Sequence, residues 1–388
     1  MKPLTHIVFF ANTKAQFGVL ESFTEGLFRA LTRQNVKCSM LDLVSEGPDV
    51  IQKKLQEFCP DCTIGFNMVL APDVFFQELG IKHLAILVDN ASYFSEIKDY
   101  HNCIGGCVEE DSCELLRYMG HKAVLYIPHA IDRDVVSTAN SLRDLDLVVA
   151  ASFYDADEVY ENWKCIFSKS SLDTVCDIAE RSLQSESLSH VRALLETLTQ
   201  NEAFRTELST KGISPVIIAN SLDRYIRGRD RVRFLEAIDV CSVDLFCDES
   251  DHAKWRRVLP NKKNIRYHKA VSYTDLPALF SRAKCVLNSA PMIKHGFHER
   301  LFLALARGAS VIGSQNVRIG STFGRGFCGI LSPEYAAANQ FLEWACTHEK
   351  ERYEAVQQTH KLILSEHTWD ARAAMLMERL PELLAGVG

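Results

Sequence analysis

Short apolar runs alternate with amphipathic segments along the first third of the chain. The segment Gly18–Arg33, for example, repeats apolar residues at helical spacing, as at Phe23, Leu27 and Leu31. Repeated strand–helix alternation of this kind predicts a parallel sheet with helices on both faces. The predicted strands of this first series are His6–Phe10, Val36–Leu43, Cys62–Phe66, His83–Val88, Ile104–Val108 and Ala123–Ile127.

A second series of the same kind begins after the Asp-rich segment Arg143–Asp146. Between its first two strands lies a helical stretch, Leu172–Ile238, far longer than a crossover connection needs, which predicts an extra helical layer. The last amphipathic helix is predicted at Thr368–Leu384. The predicted strands of this series are Leu147–Ala151, Ser242–Phe246, Asn264–Tyr267, Cys285–Leu287 and Ser310–Ile312.

The length of 388 residues exceeds the size at which one hydrophobic core usually stops growing, so two domains are expected. Each series would form a Rossmann-like α/β domain, and the two would face a central cleft. Open α/β sheets bind ligands outside the carboxyl ends of their strands, which predicts a nucleotide or cofactor site there.

The overall charge and the pattern of apolar residues argue against two classes of protein, general nucleic-acid binders and membrane-spanning proteins. The formal charge of −7 argues against a general nucleic-acid binder, which normally carries a basic surplus. No apolar run approaches the length of a membrane span, and the first residues lack a signal-peptide cleavage pattern. We therefore expect a cytoplasmic protein whose cysteines are reduced.

The segment Asn288–Ser314 carries the strongest chemical signal. Its sequence, NSAPMIKHGFHERLFLALARGASVIGS, predicts a strand end, a loop with Lys294, His295 and Gly296, and then a helix that ends at Gly308. A helix N-terminus with nearby cationic groups is a ready anion site, and Gly296 would let the backbone approach a phosphate. Glu299, in the first turn, is suited to accept hydrogen bonds from a ribose.

The string HGFHERLFLALARGASVIGS resembles the donor-binding segment of GT-B-fold glycosyltransferases, especially the spore-maturation-type, glycosyl-transferase-family-1-like group. His268–Phe280 resembles the loop and helix in which such enzymes hold the nucleotide base, and Leu125–Asp132 resembles their interdomain hinge. The paired-glutamate relatives carry a second Glu where this chain has Leu303, so Glu299 alone would hold the ribose.

The resemblance implies an acceptor domain, residues 1–140 joined by the C-terminal helix 368–388, and a nucleotide-sugar donor domain, residues 141–367. It implies metal-independent transfer from a nucleotide sugar, with UDP expected first, to a hydroxyl of a glycan, lipid-linked or protein acceptor, as in bacterial-type glycan synthesis. No separate cofactor is expected, and no metal. The implied donor-binding residues are Lys294, His295, Gly296, His298, Glu299, Arg300, Tyr273 and Ser152.

Two residues of the first domain are candidates for catalysis. Asp89 follows the apolar strand LAILV and could act as general base on the acceptor hydroxyl, or it could be an Asx cap on the following turn. His129 could contact the sugar or simply be a hinge histidine bonded to backbone. A sugar-nucleotide 2-epimerase-like enzyme and a non-catalytic nucleotide-sugar-binding regulatory module are the alternative functions.

Other motifs favour structural interpretations. Asp155 and Asp157 mimic the Asp-x-Asp metal motif, but acidic residues are also typical of a helix start. Cys59–Cys62 has redox spacing but precedes a strand, and His101, Cys103, Cys107 and Cys113 lack the pairing of a zinc site. The arginine run Arg224–Arg233 is typical of a solvated helix face paired with Asp223, Asp230 and Glu236, with a peripheral membrane or anionic-acceptor patch as the alternative.

Overall fold

The computed structural model describes residues 3–11, 16–71, 79–137, 142–314, 316–323, 330–331, 335 and 337–386. The chain divides into two compact units. The first comprises Met1–Val136, Ser272–Thr274 and Lys361–Gly388, and the second comprises Ser137–Val271 and Asp275–His360. In the described parts of both units, a six-stranded sheet with parallel pairing forms the centre.

The sheet of the first unit has the order β2-β1-β3-β4-β5-β6. Strand β2 lies on one side of β1, and the chain then crosses to the other side of β1 to form β3 and the later strands. This doubly wound order follows from buried, continuously apolar strands that need helices on both faces. Its strands are β1 His6–Phe10, β2 Lys37–Leu41, β3 Cys62–Phe66, β4 His83–Leu87, β5 Cys103–Cys107 and β6 Val124–Tyr126.

Helices α1 Val19–Arg33, α2 Pro48–Phe58 and α3 Glu110–Tyr118 connect these strands. The C-terminal helix of the chain, which spans Trp369–Gly386, packs against α1 in the same unit. Gly26 allows this close approach, because a Cβ there would lie 2.3 Å from the Trp369 ring. The Trp369 ring also contacts Phe23 and Phe66, so the last helix is part of the first unit's core.

The sheet of the second unit has the order β12-β11-β10-β7-β8-β9. The central strands β7, β10 and β11 are buried over most of their length. The strands are β7 Leu145–Ala150, β8 Val243–Cys247, β9 Ile265–Lys269, β10 Ala283–Asn288, β11 Ser310–Ser314 and β12 Ile330–Leu331.

The helical layer predicted after β7 is present, and it begins earlier than Leu172. It consists of α4 Ala156–Ile166, α5 Lys169–Gln184, α6 His190–Gln200, α7 Glu202–Thr210 and α8 Pro215–Ala237. Polar N-caps, such as Ser168, Ser189 and Asn201, start a new helix at each break and explain why the stretch is not continuous. These helices share an apolar cluster with Ala290, Met292 and Ile293 of the loop after β10.

The remaining helices of the chain follow in order, and no helix among the described residues is long and apolar enough to cross a membrane. They are α9 His252–Val258, α10 Leu276–Arg282, α11 Glu299–Ala306, α12 Val317–Phe323, α13 Ala337–Thr347, α14 Glu349–Glu366 and α15 Trp369–Gly386.

Candidate functional site

Helix α11 begins at the position predicted for an anion site. His298 is its N-cap, and its Nδ1 lies 3.3 Å from the backbone nitrogen of Arg300 and 2.9 Å from a carboxylate oxygen of Glu299. Burial lowers the pKa of His298, which favours the neutral imidazole, while the neighbouring Glu299 carboxylate opposes that shift. Leu301 and Phe302 are buried, which fixes the helix and hence the position of its first-turn N–H groups.

The loop before α11 is held by Asn316, a buried residue just beyond β11. Its Nδ2 donates to the carbonyl oxygens of Ile293, at 3.0 Å, and Gly296, at 3.2 Å. Its Oδ1 accepts from the backbone nitrogen of Ile319 at 2.7 Å. One side chain therefore fixes the backbone on both sides of Lys294. The sequence pattern did not predict a role for Asn316. Its place just beyond the carboxyl end of a strand was the one feature that could have indicated such a role.

A buried carboxylate joins the carboxyl ends of the neighbouring strands β10 and β11. Asp230, from α8, accepts hydrogen bonds from Ser289 Oγ at 2.5 Å, Ser314 Oγ at 2.9 Å and the Tyr335 hydroxyl at 3.0 Å. Burial raises the pKa of Asp230, while these donors and the charge of buried Lys294 oppose that rise. Lys294 thus lies in the electrostatic field of a fixed acidic group.

The end of β7 contacts the same helix. Arg231 donates from one terminal nitrogen to the carbonyl oxygen of Ser152 at 2.5 Å, and its guanidinium lies 5.0 Å from the centre of the Tyr154 ring. A Cβ at Gly228 would lie 2.5 Å from the carbonyl oxygen of Tyr154, so glycine is needed for this close packing. Ser152 itself is exposed and contributes its backbone carbonyl to the contact.

The interpretation of the arginine run as a solvated face is wrong for Arg231 and for two of the acidic residues expected to pair with the run. Arg224 is exposed, but Asp223, Asp230 and Arg231 are all buried. Arg227 is largely buried and forms an ion pair with Asp223 at 2.9 Å. The hydrophobic pattern could not reveal this, because α8 is enclosed by polar as well as apolar neighbours.

Two predicted donor residues have partners that the sequence did not suggest. His295 Nε2 lies 2.8 Å from the carbonyl oxygen of Ser187, which connects the loop to the segment between α5 and α6. Tyr273 is grouped with the first unit, where its ring meets Phe23 edge-on at 5.4 Å. The other predicted donor residues all lie in the second unit.

In the first unit, Asp89 lies just beyond β4 and accepts from Asn67 Nδ2 at 2.8 Å. Asn67 Oδ1 accepts from the backbone nitrogen of Val88 at 2.8 Å, so the same amide positions both residues. The cap on the following turn is Asn90, whose Oδ1 accepts from the Ser92 nitrogen at 3.0 Å and hydroxyl at 2.8 Å. The Asx-cap alternative therefore applies to Asn90.

His129 is buried inside the first unit, with its ring 5.8 Å from that of Phe23. Its carbonyl oxygen accepts from Arg372 at 2.9 Å, and Arg372 also donates to the carbonyl oxygens of Pro128 and Glu366. Burial lowers the pKa of Arg372 to about 10. The arrangement agrees with a histidine held in the packed segment beside the last helix.

The motifs given structural interpretations have structural partners. Asp155 is the N-cap of α4, accepting from the Glu158 nitrogen at 3.1 Å, and pairs with Arg257. Asp157 pairs with Arg229 at 2.8 Å. Burial raises the pKa of the Cys62 thiol well above its usual range. The described ranges contain no group of three His, Cys, Asp or Glu residues that could hold a metal ion.

The C-terminal part of the chain is similar to a known protein family. Residues 229–378, which include α11 and the loop before it, match a family described as glycosyl transferase-like. A search of curated proteins finds no match to the sequence. The family match shows a glycosyl transferase-like domain over residues 229–378, and the structural matches below show that the fold is that of GT-B glycosyltransferases.

The structural matches extend over nearly the whole chain at low sequence identity. The DNA-modifying enzyme β-glucosyltransferase matches with a TM-score of 0.55 and 10% identity, covering 98% of this chain and 100% of the other. Sucrose-phosphate synthase from Thermosynechococcus elongatus matches with a TM-score of 0.53 and 12% identity, covering 98% and 99%. HepE from Anabaena, solved with UDP-glucose, matches with a TM-score of 0.52 and 9% identity, covering 97% and 99%.

Proposed function

We propose that the second unit binds a nucleotide sugar, with UDP as the nucleotide, and that the protein transfers the sugar to an acceptor hydroxyl. The observation that carries the proposal is the start of α11, where first-turn N–H groups, Glu299 and Arg300 follow the loop that contains the buried Lys294. The N–H groups and cations suit a diphosphate, and the Glu299 carboxylate suits a ribose diol. The solved structure of HepE with UDP-glucose supports this choice of donor.

The proposed reaction needs no divalent ion. Negative charge that develops on the leaving diphosphate would be stabilised by the helix N-terminus, Lys294 and Arg300. The acidic residues of the Asp-x-Asp sequence are engaged elsewhere, since Asp155 pairs with Arg257 and Asp157 with Arg229. Both facts favour a metal-independent mechanism.

Asp89 is the proposed general base. An acceptor hydroxyl has a pKa far above neutral, so its attack gains from a carboxylate within hydrogen-bond reach, typically about 10²–10⁴-fold in rate. The Asn67 amide holds one carboxylate oxygen of Asp89 at 2.8 Å and so sets the direction of the group. His129, buried against Phe23, is less suited to contact a substrate, and we assign it to packing.

The acceptor is proposed to be a hydroxyl of a glycan, a lipid-linked intermediate or a protein, as in bacterial-type glycan synthesis in the cytoplasm. The transferase, the regulatory module and the 2-epimerase-like enzyme differ in what they would do to the nucleotide sugar when no acceptor is present. A transferase hydrolyses its donor slowly when water replaces the acceptor, a binding module leaves it intact, and an epimerase converts the sugar without releasing it.

The test is incubation of the protein with a panel of UDP- and GDP-sugars without acceptor, followed by measurement of released nucleotide and of sugar identity. We expect release from one donor, retained in EDTA and reduced roughly 10- to 150-fold in Glu299→Ala at donor concentrations well below saturation. Arg224→Met, an exposed residue on α8, is the matched control and should keep the wild-type rate. Binding without release from any donor would contradict transferase activity, and a changed sugar would favour the epimerase.

A further inference from the structure

Arg231 is a buried cation whose charge has no carboxylate partner among the residues that the structure describes. Its side chain belongs to α8 and the residue is only 5% exposed. The groups that contact its guanidinium are neutral: the carbonyl oxygen of Ser152 at 2.5 Å and the ring of Tyr154 at 5.0 Å. Within the described ranges its Nε has no hydrogen-bond partner.

The adjacent acid, Asp230, attracts the charge of Arg231 and partly opposes the fall of its pKa, but it makes no direct contact with the guanidinium among the described residues. The carboxylate of Asp230 accepts from Ser289 Oγ, Ser314 Oγ and the Tyr335 hydroxyl, and forms no ion pair with Arg231 in the described part of the chain. Burial lowers the pKa of Arg231 to about 10, which still leaves the guanidinium protonated at neutral pH. A buried charge without a directly paired counterion is costly, which favours an anion as a further partner of Arg231.

The surroundings of Arg231 indicate which kind of anion. Arg300, in the first turn of α11, and Arg227 both act on it electrostatically and depress its pKa further. Three cations therefore gather near the point where β7 ends, in the same unit as the N-terminus of α11. Arg227 is already paired with Asp223 at 2.9 Å. The guanidinium of Arg231 is a planar fork of N–H donors, which suits the several charged oxygens of a diphosphate.

We propose that Arg231, supplied by the helical layer inserted after β7, binds the diphosphate of the donor together with the N-terminus of α11. This inference rests on the proposed function and adds a residue to it. The contact with Ser152 and the stacking on Tyr154 fix the guanidinium before the ligand arrives, so little side-chain entropy is lost on binding. The arginine is a binding residue, and no bond is made or broken at it.

The proposal gives the inserted helices a role in the donor site. Helix α8 contributes Arg231 and also Asp230, which connects the ends of β10 and β11. Helices α4 to α8 share their apolar cluster with Ala290, Met292 and Ile293 in the loop that leads to Lys294. A chain without this layer would lose both an anion-binding side chain and the packing surface of the loop.

The test measures binding of inorganic diphosphate, a probe that needs no particular base or sugar, by calorimetry over a range of salt concentrations. UDP is measured in parallel. We expect Arg231→Met to weaken diphosphate binding at least about tenfold and to make the remaining affinity less salt-sensitive. Arg231→Lys keeps the charge without the planar fork and should recover part of the loss. Arg224→Met, from the exposed side of the same helix, should match wild type.

The outcomes separate this inference from the proposed function. Wild-type binding of diphosphate that is unchanged in both Arg231→Met and Arg231→Lys would overturn the role of Arg231 and leave the donor site standing. Wild-type protein that binds neither diphosphate nor any of the nucleotides UDP, GDP and CMP would overturn both. If Arg231→Met does not fold, Arg231→Lys decides: an affinity equal to wild type with unchanged salt dependence contradicts the proposal.

Discussion

Glu299 offers the sharpest test of the proposed donor site, because either partner of its hydrogen bonds can be removed: the carboxylate by substitution, or the ribose hydroxyls by a change of ligand. The residue is 8% exposed and lies in the first turn of α11, with a carboxylate oxygen 2.9 Å from His298 Nδ1. If the carboxylate accepts hydrogen bonds from the ribose diol, Glu299→Ala and removal of the ribose hydroxyls should cost the same interaction. Each change alone should weaken binding, and the two together should add little more.

The expected magnitude follows from the charge and burial of the group. A hydrogen bond to a charged, poorly solvated acceptor contributes about 1.5–3 kcal/mol, which corresponds to a loss of roughly 10- to 150-fold in affinity. The substitution also removes a negative charge from a helix N-terminus, for which we expect about 0.3–1 kcal/mol of lost stability. This second effect acts on folding and should lower the melting temperature by only a few degrees.

The assay is calorimetric titration of wild type and Glu299→Ala with UDP, 2′,3′-dideoxy-UDP and inorganic diphosphate. The wild type should bind the dideoxy compound roughly 10- to 150-fold more weakly than UDP, while the variant should barely distinguish the two. Diphosphate should bind both proteins alike, because it has no ribose. Equal penalties for the dideoxy compound in the two proteins would show that Glu299 does not hold the diol.

The remaining predictions concern charge, metal, base and pH. Lys294→Ala and Arg300→Ala should each weaken diphosphate binding and reduce its salt dependence, and unchanged affinity in both would remove the phosphate site. Turnover should survive EDTA, and a complete loss restored by Mn²⁺ or Mg²⁺ would contradict the metal-independent mechanism. Asp89→Asn should keep donor affinity but lower turnover with acceptor by at least about a hundredfold, and normal turnover would place the base elsewhere. Burial lowers the pKa of His83 to about 4 and of His367 to about 3, so the folded state binds fewer protons than the unfolded state below about pH 6.5. Unfolding midpoints in urea should therefore be steady above about pH 6.5 and fall as the pH drops towards 4, and a flat profile would be inconsistent with neutral buried imidazoles.

The alternation of apolar runs was enough to predict the two sheets, because fully buried parallel strands leave a continuous apolar signature. Strands β1 and β3 have the predicted bounds, His6–Phe10 and Cys62–Phe66. The second strand, predicted as Val36–Leu43, is shorter at Lys37–Leu41, since it lies at the sheet edge and its outer residues are not held by pairing on both sides. Parallel edge strands are therefore the least certain elements of such a prediction.

The polar framework of the site could not be predicted in the same way. Asp230 and Arg231 lie in a run of charges whose pattern is typical of a solvated face, and only the packing of α8 reveals that both are buried. Asn316 acts through two carbonyl oxygens about twenty residues away in sequence, a contact that no local pattern encodes. Asp89 and Asn90 are neighbours, and the structure alone shows which of them caps the turn.

The helices inserted after β7 explain how the loop after β10 is held in place although it has no helix or strand of its own. The loop after β10 contains Lys294 and Gly296, lacks regular structure, and would be a poor platform for a diphosphate if it moved. Its apolar residues pack on the inserted helices, His295 contacts the carbonyl oxygen of Ser187, and Asn316 holds its carbonyl groups. Because these anchors come from several elements, substitution of a single one should loosen the loop without unfolding the sheet. The side chains that touch the donor and those that hold them in place are therefore separable by experiment, with diphosphate affinity reporting the first and loop protection from hydrogen exchange reporting the second.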